Sequence, residues 1–301
     1  MLTGVHVLLT YKCTLACDHC FLYAGPRARG TMTLSQIRDV LSQARQVDSV
    51  TRISFEGGEP FLFYAALLEG IRMADELGFA TEIVTNAYWA TSEEDAAHWL
   101  RPLAALHLGV LSVSDDVFHF GEGETAAKRA LATAHRLGIP TGALSLQRPF
   151  ATDAAAIGGG VFFRGRAAEM LTPGLPRRPW PTLTHCPHEN LRSPSRVHVD
   201  PYGHVHLCQG LTMGNVRERS LADLLQDYGA AGHPICGPLI EGGPAQLARH
   251  YSIAPETTYV DECHFCYAVR SALVERDVGY LAPRQVYGLS ASSSAAPKLL
   301  A

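Results

Sequence analysis

The sequence predicts an α/β fold, a parallel sheet of strand–helix units rolled into an open barrel of the partial (β/α)6 kind. Three observations predict it. Short apolar runs alternate with segments of helical period over the first 165 or so residues. The helical segments carry start and stop signals at their proper ends. The chemically distinctive motifs fall directly after strands, where a parallel sheet gathers its C-terminal ends. Periodicity alone leaves a doubly wound sheet as the alternative.

Each element has its own warrant. Val5–Tyr11 is an apolar run ending just before Cys13. Thr33 and Gln36 form a capping box, followed by Leu34, Ile37, Leu41, Ala44 and Val47 at helical spacing. Thr51–Phe55 reads as a second strand and runs into Glu56-Gly57-Gly58-Glu59-Pro60. A helix from about Tyr64 to Leu77 stops at Gly78, the left-handed position that ends many helices. Strand Thr81–Thr85, a helix opened by Ser92-Glu-Glu-Asp95, and strand Leu108–Ser114 follow. A helix near Thr125–Leu137 ends at Gly138, and strands near Thr141–Leu146 and Val161–Phe163 complete the six.

Composition then narrows the function. Of 301 residues, 47% are hydrophobic and 18% charged, which supplies a core and excludes wholesale disorder. A net charge of −4 argues against a nucleic-acid binder. No apolar run is long enough for a membrane span, and the N-terminus lacks an export signal, so a cytoplasmic protein without membrane partners is expected. A proline-rich stretch, 172–184, divides a barrel (1–171) from a smaller module (185–287); a low-complexity tail, 288–301, is expected to be loose. In the module, Arg196–Cys208 alternates around a turn as a β-hairpin, Ser220–Tyr228 is a short capped helix, and a further helix is expected after Cys266.

The eight cysteines are bunched. Cys13, Cys17 and Cys20 stand together, and none follows until Cys186, then Cys208, Cys236, Cys263 and Cys266. Without an export signal, bunched thiols read as metal or redox ligands rather than disulfides. Three thiolates on a 4Fe–4S cluster leave one iron free for a small ligand. Zinc is the competing metal, although its sites favour paired CxxC knuckles or a histidine partner.

Cys13-Thr-Leu-Ala-Cys17-Asp-His19-Cys20, followed after the next strand by Gly57-Gly58-Glu59-Pro60, resembles the radical S-adenosylmethionine (SAM) superfamily. The resemblance spans about residues 1–166. It implies a partial (β/α)6 barrel and a 4Fe–4S cluster on Cys13, Cys17 and Cys20. The open iron of that cluster binds S-adenosylmethionine, which one-electron reduction turns into a 5′-deoxyadenosyl radical. His19 takes the aromatic position of the motif. Two glycines let a strand end approach a ligand closely, and Gly57, Gly58 and Glu59 are expected to meet the methionine ammonium. Thr85, Asn86 and Ser114 match positions that touch the ribose, and Arg166, in Arg164-Gly-Arg-Ala, matches one that approaches the carboxylate.

The C-terminal cysteines resemble the auxiliary-cluster module called twitch, a shortened SPASM domain. Cys186, Cys208, Cys263 and Cys266 would saturate a second 4Fe–4S cluster, which cannot bind substrate and is left with electron transfer or a structural task. A zinc ribbon is the alternative. Cys236 remains over. As a hydrogen-atom donor it would make the chain an epimerase, similar in length and plan to carbohydrate-acting enzymes of the neomycin C epimerase type; as a cluster ligand or inert thiol it would not. The other readings are an amino-sugar or cyclitol dehydrogenase resembling deoxy-scyllo-inosamine dehydrogenase, and a peptide-modifying enzyme. The last is expected to need a leader-binding domain, for which the segment before Val5 leaves no room. Asp115 and Asp116 could clamp the ammonium groups of a carbohydrate-like substrate, with Glu122 and Glu124 nearby; a solvated acidic loop is the alternative. A flavodoxin- or ferredoxin-type electron donor is implied.

Overall fold

The computed structural model describes residues 1–120, 123, 125–152, 155–276 and 278–289. The tail from 290 onward, Glu122 and Glu124 lie outside them. Five strands alternate with four helices in the first half: β1 Gly4–Thr10, α1 Leu34–Arg45, β2 Arg52–Gly57, α2 Tyr64–Glu76, β3 Ala80–Thr85, α3 Glu93–Ala105, β4 Val110–Ser114, α4 Ala126–Arg136 and β5 Thr141–Leu144. Thr33, Ser92 and Thr125 cap α1, α3 and α4 by accepting backbone N–H groups of the first turn. Two short pairs follow elsewhere: β6 Phe150–Ala151 with β7 Ala156–Ile157, and β8 Arg178–Pro179 with β12 Thr258–Tyr259. The remaining elements are α5 Arg166–Met170, β9 Arg196–Val199, β10 His204–Cys208, β11 Leu211–Asn215, α6 Leu221–Asp227, α7 Cys236–His250 and α8 Glu262–Glu275.

One eight-stranded sheet runs β11-β10-β9-β1-β2-β3-β4-β5. Strands β9 and β1 to β5 are parallel, while β10 pairs antiparallel with β9 on one side and β11 on the other. The sixth parallel strand is therefore β9, hydrogen-bonded to β1, and not Val161–Phe163 as the sequence suggested. Glycines 159 and 160 at positive φ interrupt that stretch. Val161 and Phe163 instead bury themselves with Ala167 and Val260 in a small separate core. The predicted hairpin is present as β9–β10, with Val199 opposite Val205.

The sheet has two unlike faces. On one, Val5, Val7, Ile53, Phe55, Ile83, Leu111 and Val113 are fully buried under the helices. Each such side chain contributes about 1.5–3 kcal/mol by leaving water. Gly70 of α2 lies so close to Phe55 that a Cβ would stand 2.7 Å from its ring. By alternation the other face carries His6, Ser54, Glu56, Glu82, Ser112 and Ser114. A parallel sheet covered by helices on both faces reads apolar on both, so this polar face belongs to an interior that water or a polar ligand enters.

Candidate active site

The C-terminal ends of β2, β3 and β4 and the cysteine loop after β1 enclose a cavity of about 300 Å³. Cys13, Cys17, His19, Cys20, Gly57, Gly58, Thr85, Asn86, Ser114 and Asp116 line it. The wall is built by two close backbone approaches. A Cβ on Gly57, at φ +136°, would stand 2.3 Å from the Thr10 carbonyl, and one on Gly58 2.2 Å from the Lys12 carbonyl. Without those methyls, the Gly58 and Glu59 amides donate to Thr10 and Lys12 at 2.6 and 2.8 Å. The glycines thus fasten the end of β2 beneath the cysteine loop. The close approach they permit is to the chain itself.

Glu59, expected to meet a ligand, does not line the cavity. It is fully buried and accepts from Thr85 Oγ1 at 2.8 Å, the Asn86 amide at 2.8 Å and the Phe61 amide at 3.1 Å. Burial pushes its carboxyl up to about 7 against the pull of those donors. Its carboxylate ties the end of β3 to the turn after β2. Asn86 continues the chain of contacts, its Nδ2 donating to Thr14 Oγ1 at 3.0 Å and reaching Cys13 Sγ at 3.5 Å. Arg166, expected to approach a ligand carboxylate, straps the loop from outside: Nε donates to the Cys17 carbonyl at 2.8 Å and Nη2 to that of Ala24 at 2.6 Å. Gly165 packs against Phe21, where a Cβ would stand 2.5 Å from its Cα.

The acidic pair divides. Asp116 lines the cavity, its Oδ1 2.8 Å from His119 Nδ1 and accepting the Phe118 amide at 3.0 Å. Asp115 turns away and accepts from Thr125 Oγ1 at 3.4 Å. His119 also lines the cavity. His19 packs on Phe118 and His119, with ring centroids 4.6 and 5.1 Å away, and burial lowers its pKa to about 4.

Burial pushes the Cys13 thiol up to about 11 and that of Cys17 to about 12, their neighbours' negative charge adding to it. Three thiolates this close need a cation among them. A tetrahedral zinc would draw sulfurs to about 3.8 Å of one another. Among the described residues, the three groups of His, Cys or carboxylate whose ligand atoms all fall within 4.8 Å contain no cysteine. Cys13, Cys17 and Cys20 edge one cavity together, as the ligands of a single cluster must.

Beyond the cavity wall stand Cys186, Cys208 at the end of β10, and Cys263 and Cys266 in the first turn of α8. That helix begins at Glu262, ahead of the start expected from sequence, because Asp261 caps it by accepting the His264 amide at 2.7 Å. Two buried guanidiniums serve these thiols. Arg164 Nη1 lies 2.8 Å from Cys208 Sγ. Arg270, 1% exposed, donates to the Gln209 carbonyl at 2.9 Å and feels the charge of Cys208, Cys266 and Cys263. Burial alone would lower Arg164, but Cys208, Cys263 and Glu189 outweigh it and push it up. Arg164 stacks on Phe21 and Phe162 at 5.3 and 4.8 Å, and both rings line the cavity. Sequence reasoning passed over Arg164 and Arg270.

Cys236 was expected on a loop beside the reacting centre; it is the first residue of α7, fully buried and absent from the cavity wall. His233 Nδ1 accepts the Ile235 and Cys236 amides at 3.2 and 3.1 Å and so starts the helix there. Burial holds its thiol up at about 12.

Residues 7–150 match the family model described as the radical SAM superfamily. The chain carries a radical SAM domain. It is 26% identical over 115 residues to the putative peptide biosynthesis protein YydG of Bacillus subtilis (strain 168), covering 38% of this chain and 36% of that protein. It is 36% identical over 76 residues to an S-adenosylmethionine-dependent nucleotide dehydratase of Pseudoalteromonas ulvae, covering 25% and 22%. The chain thus spans about a third or less of the length of these curated relatives. The structure of BtrN in complex with AdoMet and 2-DOIA matches with a TM-score of 0.52 at 18% identity, over 75% of this chain and 83% of BtrN. That likeness is one of fold.

A radical SAM domain implies a 4Fe–4S cluster and S-adenosylmethionine. The residues present fit both: three thiols edge the cavity, and Gly57 and Gly58 line it with no side chain to keep a ligand from the backbone. Among the described residues, no helix is long and apolar enough to cross a membrane.

Proposed function

We propose that the chain is a radical SAM enzyme that oxidises a small polar substrate of the amino-sugar or cyclitol class by two electrons. The cluster on Cys13, Cys17 and Cys20, when bound, supplies the open iron for S-adenosylmethionine and the electron that generates the 5′-deoxyadenosyl radical. Asp116 and His119 orient the substrate at the rim, Asp116 drawing an ammonium or hydroxyl and the His119 ring holding that carboxylate in place. Phe21, Phe162 and Leu146 narrow the cavity and keep water from the reacting carbon.

The observation that carries the oxidative reading is the contrast between Cys236 and the Arg164 side. Cys236 is fully buried and is not among the residues that line the cavity, which favours the oxidative reading over the epimerase. Cys186, Cys208, Cys263 and Cys266, read as ligands of a second 4Fe–4S cluster in the 185–287 module, lie behind Arg164 and the two phenylalanines that line the cavity. A cluster there would supply a one-electron sink within reach of a substrate radical. The structure of BtrN in complex with AdoMet and 2-DOIA, similar in fold, supports a small-molecule substrate. A flavodoxin or ferredoxin is the proposed electron donor.

A second reading has an observation of its own. The likeness to a putative peptide biosynthesis protein over 115 residues favours a peptide substrate. The reconstituted enzyme, given S-adenosylmethionine, reductant and panels of amino cyclitols and of peptides in deuterated water, separates them. The oxidative reading expects 5′-deoxyadenosine formed in step with a product two hydrogens poorer, carrying no solvent deuterium, in the parent and in Cys236→Ala alike. Deuterium at an inverted carbon, lost in Cys236→Ala, would restore the epimerase.

A further inference from the structure

A second group of metal-ligating side chains, none of them a cysteine, lies on the polar face of the sheet. His6 of β1, Glu56 of β2 and His198 of β9 come from three adjacent strands, and their ligand atoms all lie within 4.8 Å of one another. His6 Nδ1 stands 3.2 Å from Glu56 Oε2, and His198 Nε2 stands 3.1 Å from Glu56 Oε1. We propose that His6, Glu56 and His198 hold a first-row divalent metal ion, of the kind that takes nitrogen and oxygen donors, at the base of the cavity.

Four observations carry this. Nitrogen and oxygen ligands on one such ion stand about 3.3 Å apart, the separation found here. At these short approaches His6 Nδ1 and Glu56 Oε1 are buried without a hydrogen-bond partner of good geometry. Buried polar atoms in that state are costly, and a cation at their common focus would satisfy them together. Ser54, opposite His6 in register, is 1% exposed and its Oγ is also unpartnered; by alternation it shares the face of Glu56, two residues on. The donor set is two imidazoles and one carboxylate, which leaves coordination positions open. Glu56 lines the cavity, so a substrate oxygen entering it would find those positions. The inference does not rest on the oxidative reading, since either redox outcome could use such an anchor.

Cluster-loaded protein dialysed anaerobically against micromolar Zn(II), then counted for zinc and iron, tests it. One zinc per chain is expected in the parent and in His119→Gln, which alters the other histidine–carboxylate group of the cavity. Glu56→Gln and His198→Gln should each lose that zinc with iron unchanged, and zinc-edge X-ray absorption of the parent should show imidazole scattering without sulfur. Zero zinc in the parent, the same count in Glu56→Gln and His198→Gln, or sulfur bound to the zinc would overturn it. If circular dichroism shows Glu56→Gln unfolded, His198→Gln and His6→Gln decide alone.

Discussion

The two groups of cysteines differ in what surrounds them. Cys13, Cys17 and Cys20 edge a cavity, and the donors nearest them are neutral: the Leu15 amide and Asn86 Nδ2, at 3.4 and 3.5 Å from Cys13. Cys208, Cys263 and Cys266 lie between two buried guanidiniums, and Cys263 and Cys266 are absent from the cavity wall. At the first site the nearby guanidinium of Arg166 is spent on the Cys17 and Ala24 carbonyls and only eases the Cys17 thiol from a distance, which suits a site completed by a cation and a ligand. At the second, negative charge is compensated in advance by residues no ligand can displace, which suits holding an electron. Openness and charge compensation separate the two more sharply than the count of thiols does.

The contrast breaks most directly at the ligands. Cys17→Ala should abolish 5′-deoxyadenosine formation, whereas Cys266→Ala should keep S-adenosylmethionine cleavage and lose product; either change should lower the iron count by about four per chain. Equal loss of cleavage in both would show that the two sites are not separate in role. The guanidiniums come next. Arg164→Leu takes one of its two arginines from the half-buried Glu189 and the charged partner from Cys208, and should cost about 1.5–3 kcal/mol, read as a fall in the melting temperature. Arg164→Lys should recover only part, because an ammonium cannot span both partners as the planar fork does.

A smaller effect sharpens the view of the first site as one held by neutral donors. Glu59 has its pKa raised from 4.5 to about 7 by burial, so its contribution is fully present below pH 4.5 and is lost as pH rises through about 7. Thermal stability of the apoprotein should therefore decline between pH 5 and 8. Glu59→Gln should flatten that decline while lowering stability by about 1–3 kcal/mol at pH 5, since an amide nitrogen would face the Asn86 N–H. An unchanged pH profile in the variant would show that Glu59 is not the group responsible.

Local chemistry was legible in the sequence wherever the deciding partners lie close along the chain. The capping residues Thr33, Ser92 and Thr125 act within their own first turns, and β1 to β5 follow from period and glycine stops. What escaped depends on distant partners. Strand β9 pairs with β1 about 190 residues away, and no local signal distinguishes it from a strand of a separate module. Helix α7 starts at Cys236 because a histidine ring, not one of the usual capping side chains, accepts its first amides. In the site, the cysteines and Gly-Gly were found by spacing, but Gly57 and Gly58 fasten the loop as much as they line the cavity, while Glu59 and Arg166 brace it from behind, a division that rests on partners far along the chain. His6, Ser54 and Glu56 stand on one face of adjacent strands, and polar residues at period two in otherwise apolar strands were the available signal.

The pairing of β9 with β1 also governs how the chain can be cut. Ending it after residue 171 would remove the neighbour of β1 and turn a central strand into a bare rim, with the backbone from Gly4 to Val7 unpaired on that side. Such a fragment would invite edge-to-edge association with its own copies. For that reason the N-terminal half is a poor candidate for separate expression, even though it contains Cys13, Cys17 and Cys20.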